Sequence, residues 1–241
     1  MSVTDKQSPK DQFDAILSTY LAENVGGYAR NSQKGELELE VRFGKGERIT
    51  RGVHDSTISR LLAAGFRSGP AESLLRIGSE YLDERTGRPR MSNIRVEVNG
   101  LANISAYCRS DSLGDGDTLM CGTKFVRKSN FRSDTGFLDP ADFWDFGFRV
   151  AFQTEQSLPI RNNIVQETLS KWNDNKKTFR YITRHRLSRS DIPFVVDVST
   201  VKESKRSGKS YVPEYTFRES GVLDGVESYE IEIEVVNTAV G

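Results

Sequence analysis

A mainly β fold, α+β by content, is predicted for this chain: about eight strands, each with one apolar and one charged face, and helices buttressing the apolar side. Three observations predict it. Residues Glu36 to Phe43 read E-L-E-L-E-V-R-F. Successive side chains of a strand alternate faces, so Leu37, Leu39, Val41 and Phe43 share one side while Glu36, Glu38, Glu40 and Arg42 share the other. The pattern returns as Y-E-I-E-I-E-V from Tyr229 to Val235, with Glu230, Glu232 and Glu234 on one face. Between these acidic ladders, further segments alternate in the same way but carry Arg, Lys and Asp.

The 241 residues suffice for one large β-rich domain with a sizeable core. Lys and Arg total 34 against 34 Asp and Glu. There is no net basic field to attract nucleic acid or membrane non-specifically, so any polyanion specificity has to be local. Apolar residues make up 36% and aromatics 10%, and the regular patterning argues against wholesale disorder. Cys108 and Cys121 are the only cysteines and form no C-x-x-C; two buried free thiols are expected. Met1 precedes a polar segment without an apolar leader core, and nowhere do about 18 apolar residues run together. A soluble, cytoplasmic protein is expected.

Taken in order, Ser8-Pro9 reads as an N-cap followed by Pro at the first helical position, with Phe13, Ile16, Leu17, Tyr20 and Leu21 at helical spacing and Gly26-Gly27 as the stop. After the first acidic strand, Gly44 and Gly46 mark a turn. A second helix is expected from Asp55 or Ser56, burying Ile58, Leu61 and Leu62 and ending at Gly65. Ser73 to Tyr81 and Arg90 to Val98 flank an Asp83-to-Gly87 turn and form a hairpin. Asn99-Gly100 invites a tight hairpin, yet Leu101, Ile104 and Cys108 recur at helical spacing, so a short helix is expected instead. Asp115-Gly116 is a turn before a strand at Gly122 to Phe131. Its register is open, since Lys124 and Lys128 share one face and Arg127 takes the other.

Pro140 opens a helical turn carrying Phe143 and Trp144, with Trp144 and Trp172 expected in the core or as buttresses. Phe148, Val150 and Phe152 alternate with Arg149, Ala151, Gln153 and Glu155. Ile164, Val165, Leu169 and Trp172 fit a helix. In Lys177 to Ser188, Phe179, Tyr181, Thr183, His185 and Leu187 face one way and Arg180, Ile182, Arg184 and Arg186 the other. Phe194 to Lys202 puts Val195, Asp197, Ser199 and Val201 on a common face. Glu203 to Ser210 is expected to be a mobile loop, and Tyr211 to Asp224 has no clear assignment.

A sheet with one face in water also alternates apolar and polar residues. It fits this set poorly, because Glu at alternate positions places like charges about 7 Å apart, which is unfavourable unless something positive lies between them. Five or six carboxylates on two strands ask for a cation, and an all-oxygen set suits magnesium or manganese. Arg184 and Arg186, with Arg95, Arg149 and Lys128 from other strands, suit a phosphate chain. If the sheet closes with its charged faces inside, as a barrel permits, an acidic floor meets basic walls. Phosphoryl transfer calls for such surroundings, since its catalysis is mostly positioning plus charge neutralisation.

Glu38-Leu39-Glu40-Val41-Arg42 resembles the first-strand E-x-E-x-K/R motif of the triphosphate tunnel metalloenzymes, and Glu230-x-Glu232-x-Glu234 resembles their last-strand acidic motif. S-N-I-R-V-E-V, F-V-R-K-S, F-R-V-A-F-Q-T-E, K-K-T-F-R-Y-I-T-R-H-R and V-D-V-S-T-V-K look like the RNA triphosphatase domains of viral and fungal capping enzymes, the giant-virus type above all. The resemblance covers about Glu36 to Val236. It implies an eight-stranded closed antiparallel β-barrel (tunnel) with buttressing helices, and a single domain over 1–241 in which 1–35 is a helical segment packed on the barrel and 36–236 the barrel itself.

The same resemblance implies Mg²⁺ or Mn²⁺ dependence and removal of the γ-phosphate from triphosphate-ended RNA, with NTPs also hydrolysed. By motif, Glu38, Glu40, Glu232 and Glu234 are the metal carboxylates and Glu230 holds the metal's water shell or the nucleophile. Arg95, Lys128, Arg149, Arg184 and Arg186 grip phosphates, and Arg42, Asp197 and Ser199 line the tunnel. Arg42 stands where Lys is commoner, and Gln153 where a basic residue is often found. Arg76 and Arg180 also have suitable parity.

His54 and His185 are expected to be neither ligands nor bases, and no P-loop or nucleophile elbow occurs. The alternatives are another tunnel phosphohydrolase acting on inorganic or thiamine triphosphate, or a non-catalytic barrel that binds phosphorylated RNA ends. The chain stops just past the last ladder, at Asn237 to Gly241, which suggests that a guanylyltransferase domain or subunit follows.

Overall fold

A computed structural model describes residues 8–26, 35–115, 118–133 and 136–236. Eight long strands carry the architecture: β1 (Glu36–Phe43), β2 (Glu72–Asp83), β3 (Arg88–Asn99), β4 (Thr123–Asn130), β5 (Phe148–Leu158), β6 (Lys177–Ser188), β7 (Phe194–Glu203) and β8 (Ser228–Val235). They pair antiparallel in the order β1-β8-β7-β6-β2-β3-β4-β5, and β5 returns to β1 with Glu36 opposite Glu155 and Phe43 opposite Phe148. The barrel is therefore closed, with no free edge in the ring. A short strand, Ala141–Phe143, extends the β4 side of β5, and Arg67–Ser68 adds to β6.

Among the described residues there are four α-helices: α1 (Pro9–Gly26), α2 (Arg51–Ala63), α3 (Leu101–Ser110) and α4 (Asn163–Ser170). Helix α1 starts as expected, the Ser8 hydroxyl accepting the Asp11 amide at 3.2 Å. It packs Ile16 and Tyr20 onto Leu37, Leu39, Val150 and Phe152, the outward faces of β1 and β5. Leu17 and Leu21 stay exposed, because the contact stripe is narrower than the apolar run. A larger cluster joins Leu75, Ile77, Val96, Phe125 and Phe179 to Ile104 and Tyr107 of α3 and Val165 of α4. The apolar strand faces thus look outward under helices, which leaves the charged faces inside, with Leu74, Ile182 and Val201 packed together among them.

Several expectations need correction. Helix α2 begins at Arg51, four residues early, because Thr50 is a good N-cap whose hydroxyl accepts the Val53 amide. Its buried side runs through His54, Ile58 and Leu61, and Leu62 is exposed. After Pro140 comes a strand and then a single 3₁₀ turn, and Trp144 lies in solvent while Trp172 is buried. Ile164 is also exposed. The expected mobile loop is a hairpin, Arg206–Ser207 against Ser210–Tyr211, held by Arg206 bonded to Glu203 at 2.9 Å and stacked 4.2 Å from the Tyr211 ring centre. The two cysteines are free, but Cys108 is only half-buried and Cys121 is exposed. Gly27, Gly116 and Asn237–Gly241 lie outside the described residues. Among the described residues no helix is long and apolar enough to cross a membrane.

Candidate active site

Alternation along each strand and register between strands together decide which charges meet. Glu40 stands opposite Glu234 and Arg42 opposite Glu232 across β1 and β8. Asp197 of β7 stands opposite Glu232, and Ser199 opposite Glu230. On the other side of β7, Arg186 faces Asp197 and Arg184 faces Ser199. The two acidic ladders, far apart in sequence, are hydrogen-bonded neighbours. The register of β4 is also settled: Phe125 packs outward into the core, and Lys128 reaches the carboxylates of β1.

Inside the barrel these side chains form ion pairs. Lys128 Nζ lies 2.7 Å from Glu38 Oε2 and 2.9 Å from Glu40 Oε2. Arg42 pairs with Glu232, and Arg180 with Glu230. Arg76 and Arg95 both place Nε 2.9 Å from Glu97 Oε1, and Arg95 also reaches Glu155 at 2.7 Å. Asp197 takes Arg184 at 3.2 Å and Arg186 at 3.0 Å, and Arg186 extends to Glu234. Arg149 is chelated by Asp142, Nε to Oδ1 at 2.6 Å and Nη2 to Oδ2 at 2.8 Å.

A cavity of about 460 Å³ opens within this network, lined by seven basic side chains (Arg42, Lys45, Arg76, Arg95, Lys128, Arg149 and Arg180) and one carboxylate, Glu40. Asn130 and Gln153 add neutral polar groups to its wall. Arg42 Nε is buried without a hydrogen bond. A buried donor left unpaired costs about 1–3 kcal/mol, so guanidinium N–H groups of this kind favour an anionic ligand with several acceptor oxygens. Arg184, Arg186, Asp197 and Ser199 lie outside the cavity lining, on the β6–β7 side of the interior.

Burial raises the pKa of Glu38 above its ordinary value despite Lys128, and burial likewise raises Glu234 and Asp197. Burial acts on Glu40 in the same sense, but Lys128 and Arg42 outweigh it and hold its carboxyl below the usual value. Among the described residues no three acidic, His or Cys side chains converge as a ready-made metal cage. The donor chemistry nonetheless fits a hard divalent ion. Glu38, Glu40, Glu232 and Glu234 project into the interior from hydrogen-bonded strands, an all-oxygen set in which Lys128 and Arg42 are the present counter-charges.

Every charged site residue singled out from the sequence belongs to this interior network, but in three sets: the acids of β1 and β8, the cations around the cavity, and the Arg184–Asp197–Arg186 cluster, with Ser199 placed by register between Arg184 and Glu230. Arg76 and Arg180, which parity alone suggested, line the cavity directly. Lys45 and Asn130 went unnoticed because they belong to a turn and a strand end, where period-two alternation gives no direction. Glu97 carried a detectable signal, alternating with Arg95 on the charged face of β3.

Two crystal forms of the Mimivirus capping enzyme triphosphatase share this fold. The triclinic form superposes with a TM-score of 0.52 at 14% identity, covering 91% of this chain and 88% of that one. The monoclinic form gives 0.50 at 14% over the same shares. The S. pombe Pct1 RNA triphosphatase gives 0.46 at 13%, over 99% and 84%. No protein-family model matches the chain, and no curated protein matches it by sequence. At these identities the likeness is one of fold.

Proposed function

We propose that the chain is a metal-dependent polynucleotide 5′-triphosphatase that removes the γ-phosphate from triphosphate-ended RNA in mRNA cap formation and also hydrolyses NTPs. The observation that carries this is the cavity: a wall of seven basic side chains, each held by a carboxylate beside it, in a closed barrel of the fold found in a capping enzyme triphosphatase. A triphosphate is a small anion with enough oxygens to use such a wall. A neutral or singly charged ligand would use few of the donors that the wall presents.

In this reading, Glu38, Glu40, Glu232 and Glu234 hold Mg²⁺ or Mn²⁺, which when bound supplies Lewis-acid polarisation of the phosphoryl oxygens. Arg95, Lys128 and Arg149, with Arg42, Arg76 and Arg180, bind the phosphate oxygens and stabilise the charge that spreads over them as the β–γ bridge breaks. Glu230 orients the attacking water. The water oxygen bonds to the γ-phosphorus while the bridging oxygen leaves with the diphosphate end, releasing inorganic phosphate. Arg184 and Arg186, bound to Asp197, keep the β6–β7 side of the floor charge-balanced beside Glu234, and Ser199 lines the tunnel next to Glu230. Residues 36–236 then serve as one catalytic domain buttressed by its N-terminal helix. A guanylyltransferase, as a following domain or partner in the cytoplasm of a virus-infected cell, would consume the diphosphate end.

Phosphate release from triphosphate-ended RNA, ATP and tripolyphosphate, each with magnesium or manganese, tests the reading. Triphosphate-ended RNA should release phosphate with a divalent ion and not with chelator. Glu38→Gln and Glu232→Gln should each lower the rate by a factor of about 100 or more; unchanged metal-dependent release would refute the metal assignment.

A further inference from the structure

The loop end of the barrel carries two aromatic rings that the core does not take. Trp144 is 62% exposed and Phe146 74% exposed, both on the 3₁₀ turn before β5. Scattered apolar residues are ordinary on a surface, so exposure alone says little. The placement of Trp144 says more. Lys45, part of the cavity wall, holds its ammonium 4.7 Å from the centre of the Trp144 ring. The same ammonium lies 3.3 Å from Asp142, which chelates Arg149 of that wall. The turn is anchored to the loop after β1, the amides of Gly44 and Lys45 both donating to the Gly147 carbonyl at 2.9 Å. Pro140, on the chain leading into the turn, lines the cavity too. Trp144 is thus one side chain away from the cationic cavity, on a tethered support, with most of its surface open to water.

A triphosphate held among those cations drags a nucleoside behind it, and an exposed aromatic face at the cavity's edge offers its base a stacking surface. Unpaired bases at single-stranded ends are recognised chiefly by stacking on aromatic faces, worth about 1–3 kcal/mol per base. We propose that Trp144, with Phe146 two residues on, is a stacking platform for the first base of the triphosphate-ended RNA and sets the preference for polynucleotide and nucleoside triphosphates over bare tripolyphosphate. The inference rests on the triphosphatase reading above and adds a specificity determinant to it. Trp144 touches no phosphate in this role, and Lys45 couples it to the wall.

Two measurements on the purified chain test this. In steady-state phosphate release, Trp144→Ala should lower the ratio of kcat/KM on triphosphate RNA to that on tripolyphosphate about tenfold, chiefly through KM for the RNA, as stacking of this strength implies. Trp144→Phe should keep most of the ratio. In fluorescence anisotropy, wild type should bind triphosphate RNA about tenfold tighter than the same RNA with an abasic first nucleotide, and Trp144→Ala should bind the two alike. A ratio unchanged in Trp144→Ala overturns the proposal, as does an abasic RNA that binds wild type equally well. So does a dimer in sedimentation that Trp144→Ala dissociates, which would make the patch a contact between copies of this chain. Failure of wild type to release phosphate from any substrate would refute the triphosphatase reading instead, while the anisotropy comparison still decides the stacking platform.

Discussion

Lys128 carries more of the interior's charge balance than any one contact suggests. It is the common counter-charge of Glu38 and Glu40, and burial, which would strip its proton, is outweighed by those two carboxylates, so its pKa rises. Lys128→Met should therefore leave a like-charged pair in a desolvated place. Breaking a buried pair from one side costs about 3–5 kcal/mol, and urea denaturation should show a loss approaching that size. Adding Glu38→Gln should recover part of it, since the group left uncompensated is then neutral. Glu97 offers a pH test away from the acidic ladders. Burial would raise its pKa, but Arg76 and Arg95 outweigh that and lower it. A depressed carboxylate contributes stability above its unfolded-state value, about 4.3, and loses it as pH falls through the folded value. The thermal stability gap between wild type and Glu97→Gln should accordingly be widest at neutral pH and shrink below about pH 4.

At the scale of elements, the outward apolar faces are where stability can be tested without touching the interior. Ile16 of α1 is 1% exposed against β1 and β5. Ile16→Ala should cost about 2–4 kcal/mol, and a loss below about 1 kcal/mol would mean that α1 does not stay docked in solution. Gly122, at the entry to β4, has φ +76° and would bring a Cβ within 2.7 Å of the Asn99 carbonyl and of the Asn103 amide. Gly122→Ala should therefore destabilise by about 1–3 kcal/mol and shift amide exchange in β3 and β4 before the rest. Helix spans read from the sequence were close where a strong cap stood at the start, as at Ser8, and off by a turn at α2, where Thr50 sits ahead of the first apolar residue and periodicity could not see it. Exposure of Leu17, Leu62 and Ile164 has the same origin: helical spacing marks the residues able to face a core, and the partner surface decides how many do.

For the whole molecule, a formal net charge of zero supplies no external field for polyanions, so the proposed binding has to come from the interior. RNA ending in a 5′-hydroxyl should thus bind at least about tenfold more weakly than its triphosphate form in anisotropy at about 0.15 M salt, where exposed charges more than about 8 Å apart are screened. Equal binding of the two would place the RNA on the outer surface. The strands, their amphipathic character and the two acidic ladders were legible in the sequence, because alternation is a local property of the chain written every second residue. Which face turned inward was not, since a sheet with one wet face has the same pattern. Only the tertiary structure decided that, through the β1–β5 pairing that closes the ring and the helices that cover its outside. Register decided the rest: it set Glu40 against Glu234, drew Lys128 between Glu38 and Glu40, and recruited Lys45 from a turn, because cross-strand neighbours follow from hydrogen-bonded pairing between distant segments.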